Sequence, residues 1–212
     1  DRIRNKFKLS GFLLTGQTIN KQSKKTRIQF DALLSSINYN TIEGYNATFS
    51  PRWTRRYKGR NSLSVEPSVR YGFNNTRLQP STTVRYNFGK KYFNNMGVGF
   101  GRKVFQFNND IALPETQNTI QTIVYERNFL KIYEAKFFNL GYGAGLGGGL
   151  NVRANFQFQD RLALSNLNKP VVFVDHINRT YTPNTPAPAS TTNFEQHQAS
   201  VFTGVLTWQP GG

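Results

Sequence analysis

The sequence predicts an all-β fold, an antiparallel transmembrane β-barrel of which this chain supplies about eight strands. Three observations carry that expectation. Apolar and polar residues alternate with a period of two over segments as long as 62–73 and 77–88, the mark of a strand with one dry and one wet face. Arg52, Arg70, Arg85 and Arg153 all fall on the polar side of their segments, where a barrel turns its lumen and a lipid face would exclude them. Aromatic residues close the segments, as Tyr71 and Phe73, Tyr86 and Phe88, and Trp208, the place of interfacial girdles. Twelve residues at about 3.3 Å each, tilted by about 40°, cross roughly 30 Å.

Taken in chain order, 7–16 and 27–34 read as strands, the latter aligning Ile28, Phe30, Ala32 and Leu34. Residues 45–53 set Tyr45, Ala47, Phe49 and Trp53 against Asn46, Thr48, Ser50 and Arg52. In 62–73 the apolar side is Leu63, Val65, Pro67, Val69, Tyr71 and Phe73; in 77–88 it is Leu78, Val84, Tyr86 and Phe88. A tight turn at 74–76 joins them. Residues 96–107 begin with Met96, Val98 and Phe100 and then slip to Phe105 and Phe107, which predicts a bulge near Arg102–Lys103. Residues 119–127 and 197–208 read as further strands, and 128–138 as a short helix through Ile132, Ala135 and Phe138.

The stretch 141–161 holds a G-x-G-x-x-G match at Gly143, Gly145 and Gly148. A phosphate loop would lead into a helix. Here Leu146, Leu150, Val152, Ala154, Phe156 and Phe158 alternate with Gly147, Gly149, Asn151, Arg153, Asn155, Gln157 and Gln159, so the glycines are expected to open one long strand that holds Leu146 and Leu150 together. The Pro-, Thr- and Asn-rich 165–196 reads as a long external loop. No domain boundary is apparent, and the whole of 1–212 is expected to be part of one barrel domain.

The chain has 212 residues, 37% hydrophobic and 14% aromatic, with a net charge of +16 and no cysteine. It has no thiolate metal site and no disulfide framework. It lacks the long apolar run of a membrane-crossing helix. With Met96 as its one methionine and a start at "DRIRNKF", it is expected to be a processed chain or a piece of a larger one. The close at "LTWQPGG" suggests a following strand.

Residues 40–44, "NTIEG", within "SINYNTIEGYNATFSPRW", resemble the Asn-Thr-Val/Ile-Glu-Gly signature of a Bacteroidota outer-membrane β-barrel family of unknown function. The resemblance continues through "ERNFLKIYEAKFFNL" (126–140), "GGLNVRANFQFQDRLALSN" (148–166), "YTPNTP" (181–186) and "QPG" (209–211), where Gly212 replaces the usual Gln. It implies a location in the bacterial outer membrane and a parent with an N-terminal carboxypeptidase-regulatory-like domain. It brings no catalytic residue.

The candidate lumen-facing residues are therefore Arg52, Glu66, Arg70, Arg85 and Arg153, and the motif residues are Asn40, Thr41, Glu43 and Gly44. The motif reads best as a turn whose Asn and Gly supply geometry and whose Glu43 pairs with a lumenal arginine. Glu66 and Arg70 read as a structural charge ladder. His176 and His197 have no third ligand spaced to join them, and no nucleophile elbow is present. No catalytic, cofactor-binding or metal site is expected. The basic clusters 20–25, 55–60 and 89–91 suit outer-membrane lipid and lipopolysaccharide. The expected function is a non-enzymatic structural or transport role with a basic lumen. The competing reading is a soluble all-β module binding nucleic acid or another polyanion; nucleic acid is not the expected partner, and no small-molecule substrate is identifiable.

Overall fold

The computed structural model describes residues 6–108, 112–166, 181–185 and 194–209. A short helix α1 (Leu9–Leu14) precedes β1 (Gln17–Lys21), β2 (Thr26–Phe30), β3 (Ile37–Asn40), β4 (Gly44–Phe49) and β5 (Arg52–Arg56). Then come β6 (Ser62–Gly72), β7 (Arg77–Phe88), β8 (Asn94–Gln106), the helix α2 (Glu115–Tyr125), β9 (Ile132–Gly147), β10 (Leu150–Leu162) and β11 (His197–Trp208).

All eleven strands belong to one antiparallel sheet, in the order β1-β2-β5-β6-β7-β8-β9-β10-β11. The sheet is not closed: among the described residues β1 pairs only with β2, and β11 only with β10. β3 pairs with β4, and β4 with β6.

Several expectations are corrected. The described residues form eleven strands, not about eight. Residues 45–53 are two strands rather than one. β4 pairs with the far end of β6 and β5 with its near end, and the break falls at Pro51, which has no N–H for a ladder. Residues 9–14 are helical, and β2 ends at Phe30 rather than continuing to residue 34. Residues 119–125 lie in α2, while 132–138 are strand. Leu146 and Leu150 do not share a strand, because Gly148 and Gly149, at φ +57 and +78, turn β9 into β10. The loop expected at 165–196 lies mostly outside the described residues.

Nor is there an inserted residue near Arg102. The β8–β9 register runs unbroken from Asn94↔Ala144 to Gln106↔Ile132. The β7–β8 ladder instead stops at Ser81↔Gly101. The next residue of β7, Pro80, cannot donate. Gly101, at φ +130, sits so close that a Cβ there would lie 2.4 Å from the Pro80 carbonyl oxygen. Beyond it β8 and β9 leave β7 together, while β7 stays paired with β6 to Arg77.

The two faces of the sheet differ in chemistry. Val69, Leu78, Met96, Phe100, Leu140, Phe156, Phe202 and Leu206 stand exposed on one side. The other side is concave and polar. Only eight apolar residues are buried among those described, against thirteen polar or charged ones, so the interior is not a hydrocarbon core. The small apolar cluster of Ile42, Leu130, Ile132 and Leu164 sits at the end where β3, β4 and α2 meet.

Candidate functional site

The best-organised polar site is built on the β3–β4 turn. Asn40 makes the turn: its Oδ1 accepts from the backbone N–H groups of Ile42 (2.9 Å) and Glu43 (2.8 Å). Its Nδ2 donates to Glu43 Oε2 at 2.8 Å. Gly44 follows at φ +66, and a Cβ there would lie 2.4 Å from the Asn74 side chain. Both demands exclude other residues. Thr41 Oγ1 accepts from Asn128 Nδ2 (2.7 Å) and donates to Asn166 Oδ1 (2.9 Å).

Glu43 is fully buried. Arg70 of β6 meets it with Nε at 2.9 Å and Nη2 at 2.5 Å, a bidentate pair. The remaining arm of Arg70, Nη1, reaches Glu115 at the start of α2, 2.8 Å away. One guanidinium thus ties the turn, the sheet and the helix together. α2 is held in turn by Asn118, whose Nδ2 donates to Asn128 Oδ1 (2.9 Å) and whose Oδ1 accepts from the N–H groups of Phe129 and Leu130 (3.0 Å each). We expect Asn118→Ala to lower stability by about 1–3 kcal/mol in denaturant titrations, because two backbone donors lose their acceptor. Asn46 is equally buried, but neither side-chain polar atom has a protein partner. Its replacement by Ala should cost less than that of Asn118.

A second cluster bridges the gap where β8 leaves β7. Glu134 of β9 is buried and accepts from Arg77 Nη1 and Gln79 Nε2 of β7, both at 3.1 Å. Arg102 of β8 lies 3.6 Å from it. Side-chain bonds therefore join strands whose ladder has ended. Both arginines are more than a third exposed, so Glu134→Ala leaves no buried charge behind. It should cost about 1.5–3 kcal/mol, read as a shift in the unfolding midpoint. Nearby, burial pushes the Tyr181 phenol up to about 12 and holds the Lys131 ammonium below its ordinary value.

Above this capped end the concave face encloses a hollow of about 980 Å³, lined by Glu66, Arg70, Thr83, Arg85, Asn139 and Arg153 among others. Arg52 pairs with Glu66 across β5 and β6 at 2.7 Å. All five arginine and glutamate positions singled out from alternation are thus on the concave face or paired to a residue there. The ion pairs among described residues use Arg70 and Glu66 but not Arg85 or Arg153. Glycines at 97, 99 and 141 line the hollow and keep its floor low.

Sequence reasoning did not find Glu115, Asn118, Asn128 or Glu134. Asn118 immediately precedes the stretch read as strand, 119–127, while Asn128 and Glu134 lie in the one read as helix, 128–138. No group of three or more His, Asp or Glu residues suited to a metal occurs among the described residues. His197 is exposed against Phe194, and His176 lies outside the described residues.

Residues 10–212 match the C-terminal domain of a family of unknown function, DUF5686. The chain belongs to that family. The resemblance carried by "NTIEG" is to a family of unknown function, and the match shows that much. No curated protein and no solved structure matches the chain. In this DUF5686 domain the Asn-Thr-Ile-Glu-Gly turn, Arg70 and α2 form one buried polar assembly. Its two carboxylates, on Glu43 and Glu115, are both engaged by one arginine, which suits holding a cap in place better than proton transfer.

Proposed function

We propose that this DUF5686 domain is part of an outer-membrane β-barrel of the bacterial cell envelope, with a structural or transport role and a polar, basic lumen. One observation carries the reading: the distribution of polarity is inverted. Large apolar side chains are exposed along the convex face of β6 to β11, while the interior is polar and charged. In water such a face would be a large unpartnered apolar patch; in lipid it is the outer band of a barrel. β7 from Leu78 to Phe88 rises roughly 25 Å when tilted as barrel strands are, close to the height of that band.

The concave hollow then becomes lumen. Arg85 and Arg153 line it and make no ion pair among the described residues, which favours anionic solutes. The assembly around Glu43, Arg70 and Glu115 narrows it at one end. A Bacteroidota source and an N-terminal regulatory-like domain in the parent belong to the same proposal. A soluble polyanion-binding module is the weaker reading, because it leaves Phe100, Leu140, Phe202 and Leu206 in water.

The test uses the full-length parent refolded in detergent micelles and run on a gel with and without boiling. Faster migration unboiled, converting to the expected mass on heating, is the result expected. A folded chain that stays monodisperse without detergent would refute the reading.

A further inference from the structure

The topology gathers three distant basic segments onto one rim. β1 and β2 meet through Lys21↔Thr26, β2 and β5 through Thr26↔Arg55, and β5 and β6 through Arg56↔Ser62. Ser62 faces Asn87 of β7, and Phe88 faces Asn94 of β8. The connections 22–25, 57–61 and 89–93 therefore lie side by side at the same end of the sheet. That end carries Lys21, Lys24, Lys25, Arg55, Arg56, Lys58, Arg60, Lys90 and Lys91, and no acidic residue falls within 20–27, 52–61 or 87–95. The carboxylates of Glu43, Glu115 and Glu134 belong to the opposite, capped end, where Arg70, Arg77 and Arg102 offset them.

Aromatic side chains share the rim. Tyr57, Tyr92, Phe93 and Trp208 are all exposed there. Arg55 lies over the Tyr57 ring at 5.4 Å and Lys91 over Tyr92 at 5.3 Å. A belt of amphipathic rings with cations just beyond it is the composition of a bilayer interface. Clustered Lys and Arg beside such a belt attract anionic head groups. A nucleic-acid groove would put the aromatics and cations on one concave track. Here Trp208, opposite Leu150, edges the convex apolar face while Tyr92 packs over Gly145 and Gly147, and the cations fan out over three separate turns rather than along one groove.

We infer that this rim is a docking surface for the phosphate-bearing head groups of the bilayer leaflet it meets. The inference rests on the membrane reading and adds to it a selective lipid annulus at one end.

Trp208 lies at the rim and Trp53 is two residues from Arg55 on the apolar side of β5, and their share of the fluorescence is the difference from the W53F/W208F variant. The full-length protein is refolded into mixed bilayers of phosphatidylcholine with about one third phosphatidylglycerol, brominated on one component or the other. If the inference holds, brominated phosphatidylglycerol quenches the rim fluorescence at least twofold more than its bulk share predicts. The excess should vanish at high salt and in the K24Q/K25Q/R55Q/K58Q/K90Q/K91Q variant, and brominated lipid A should give the same excess. Quenching in proportion to bulk composition, unchanged by salt, would overturn the head-group inference while leaving the barrel intact. Absence of quenching by either lipid, or salt-sensitive binding of a single-stranded oligonucleotide by lipid-free protein, would overturn both. Abolition of the excess by millimolar inorganic phosphate would mean that free phosphate, not the leaflet, is the ligand.

Discussion

Replacing Arg70 by Met is expected to destabilise the domain by about 3–5 kcal/mol, the usual cost of stranding one member of a buried ion pair. Glu43 is fully buried and would keep Asn40 as its side-chain partner among the described residues. Glu115 would lose its hold on the sheet at the same time. The cap should loosen with the pair, because the Arg70 guanidinium touches the turn, the sheet and α2 together. The check is a double-mutant cycle with Glu43→Gln, followed by denaturant unfolding in micelles. The double variant should recover part of the loss, since it buries no unpaired charge. A single variant within about 1 kcal/mol of the parent would mean that the pair is solvated and the cap is not built on it.

Placing a charge on the convex face should be nearly as costly. Leu140 lies in the middle of β9 and is exposed on that side. Its neighbour Asn139 points into the hollow. If the convex face contacts lipid, Leu140→Arg costs about 2–4 kcal/mol at mid-bilayer, whereas Asn139→Arg, one residue away, costs little. The two variants carry the same added charge on the same strand, so net charge and strand propensity cancel in the comparison. Folding yield into vesicles and resistance to unboiled denaturation both report the difference. Equal tolerance of the two substitutions would remove the lipid face.

Alternation made the long regular strands legible. β7 begins and ends where its pattern does, and β6 within one residue of it, because their side chains alternate between the polar hollow and the convex surface. The pattern failed where a segment is buried on more than one side. Ile132, Tyr133, Glu134 and Ala135 are all buried, so no wet face was left to read, and the chance spacing of Ile132, Ala135 and Phe138 suggested a helix. In α2 the run Thr119, Ile120, Thr122, Ile123 and Val124 has strand-forming chemistry. Its helix is fixed instead by Asn118 and Thr122, four residues apart and both buried against the cap, a tertiary demand that outweighs local propensity. The turn at 40–44 could be read because Asn and Gly announce it. Which arginine meets Glu43 could not, because 27 residues separate it from Arg70 and only the β4–β6 pairing brings them together.

The central claim is that the convex face of the sheet lies against lipid and the concave face against water. Residues 1–212 hold no cysteine, so once any cysteine elsewhere in the parent is replaced the claim can be tested one residue at a time. Single cysteines from 137 to 142 in the full-length protein, labelled with an environment-sensitive fluorophore after refolding into vesicles, sample both faces of β9. Blue-shifted, lipid-quenchable emission at 138, 140 and 142, alternating with water-like emission at 137, 139 and 141, is the predicted result. Water-like emission at all six positions would contradict it and return the domain to solution.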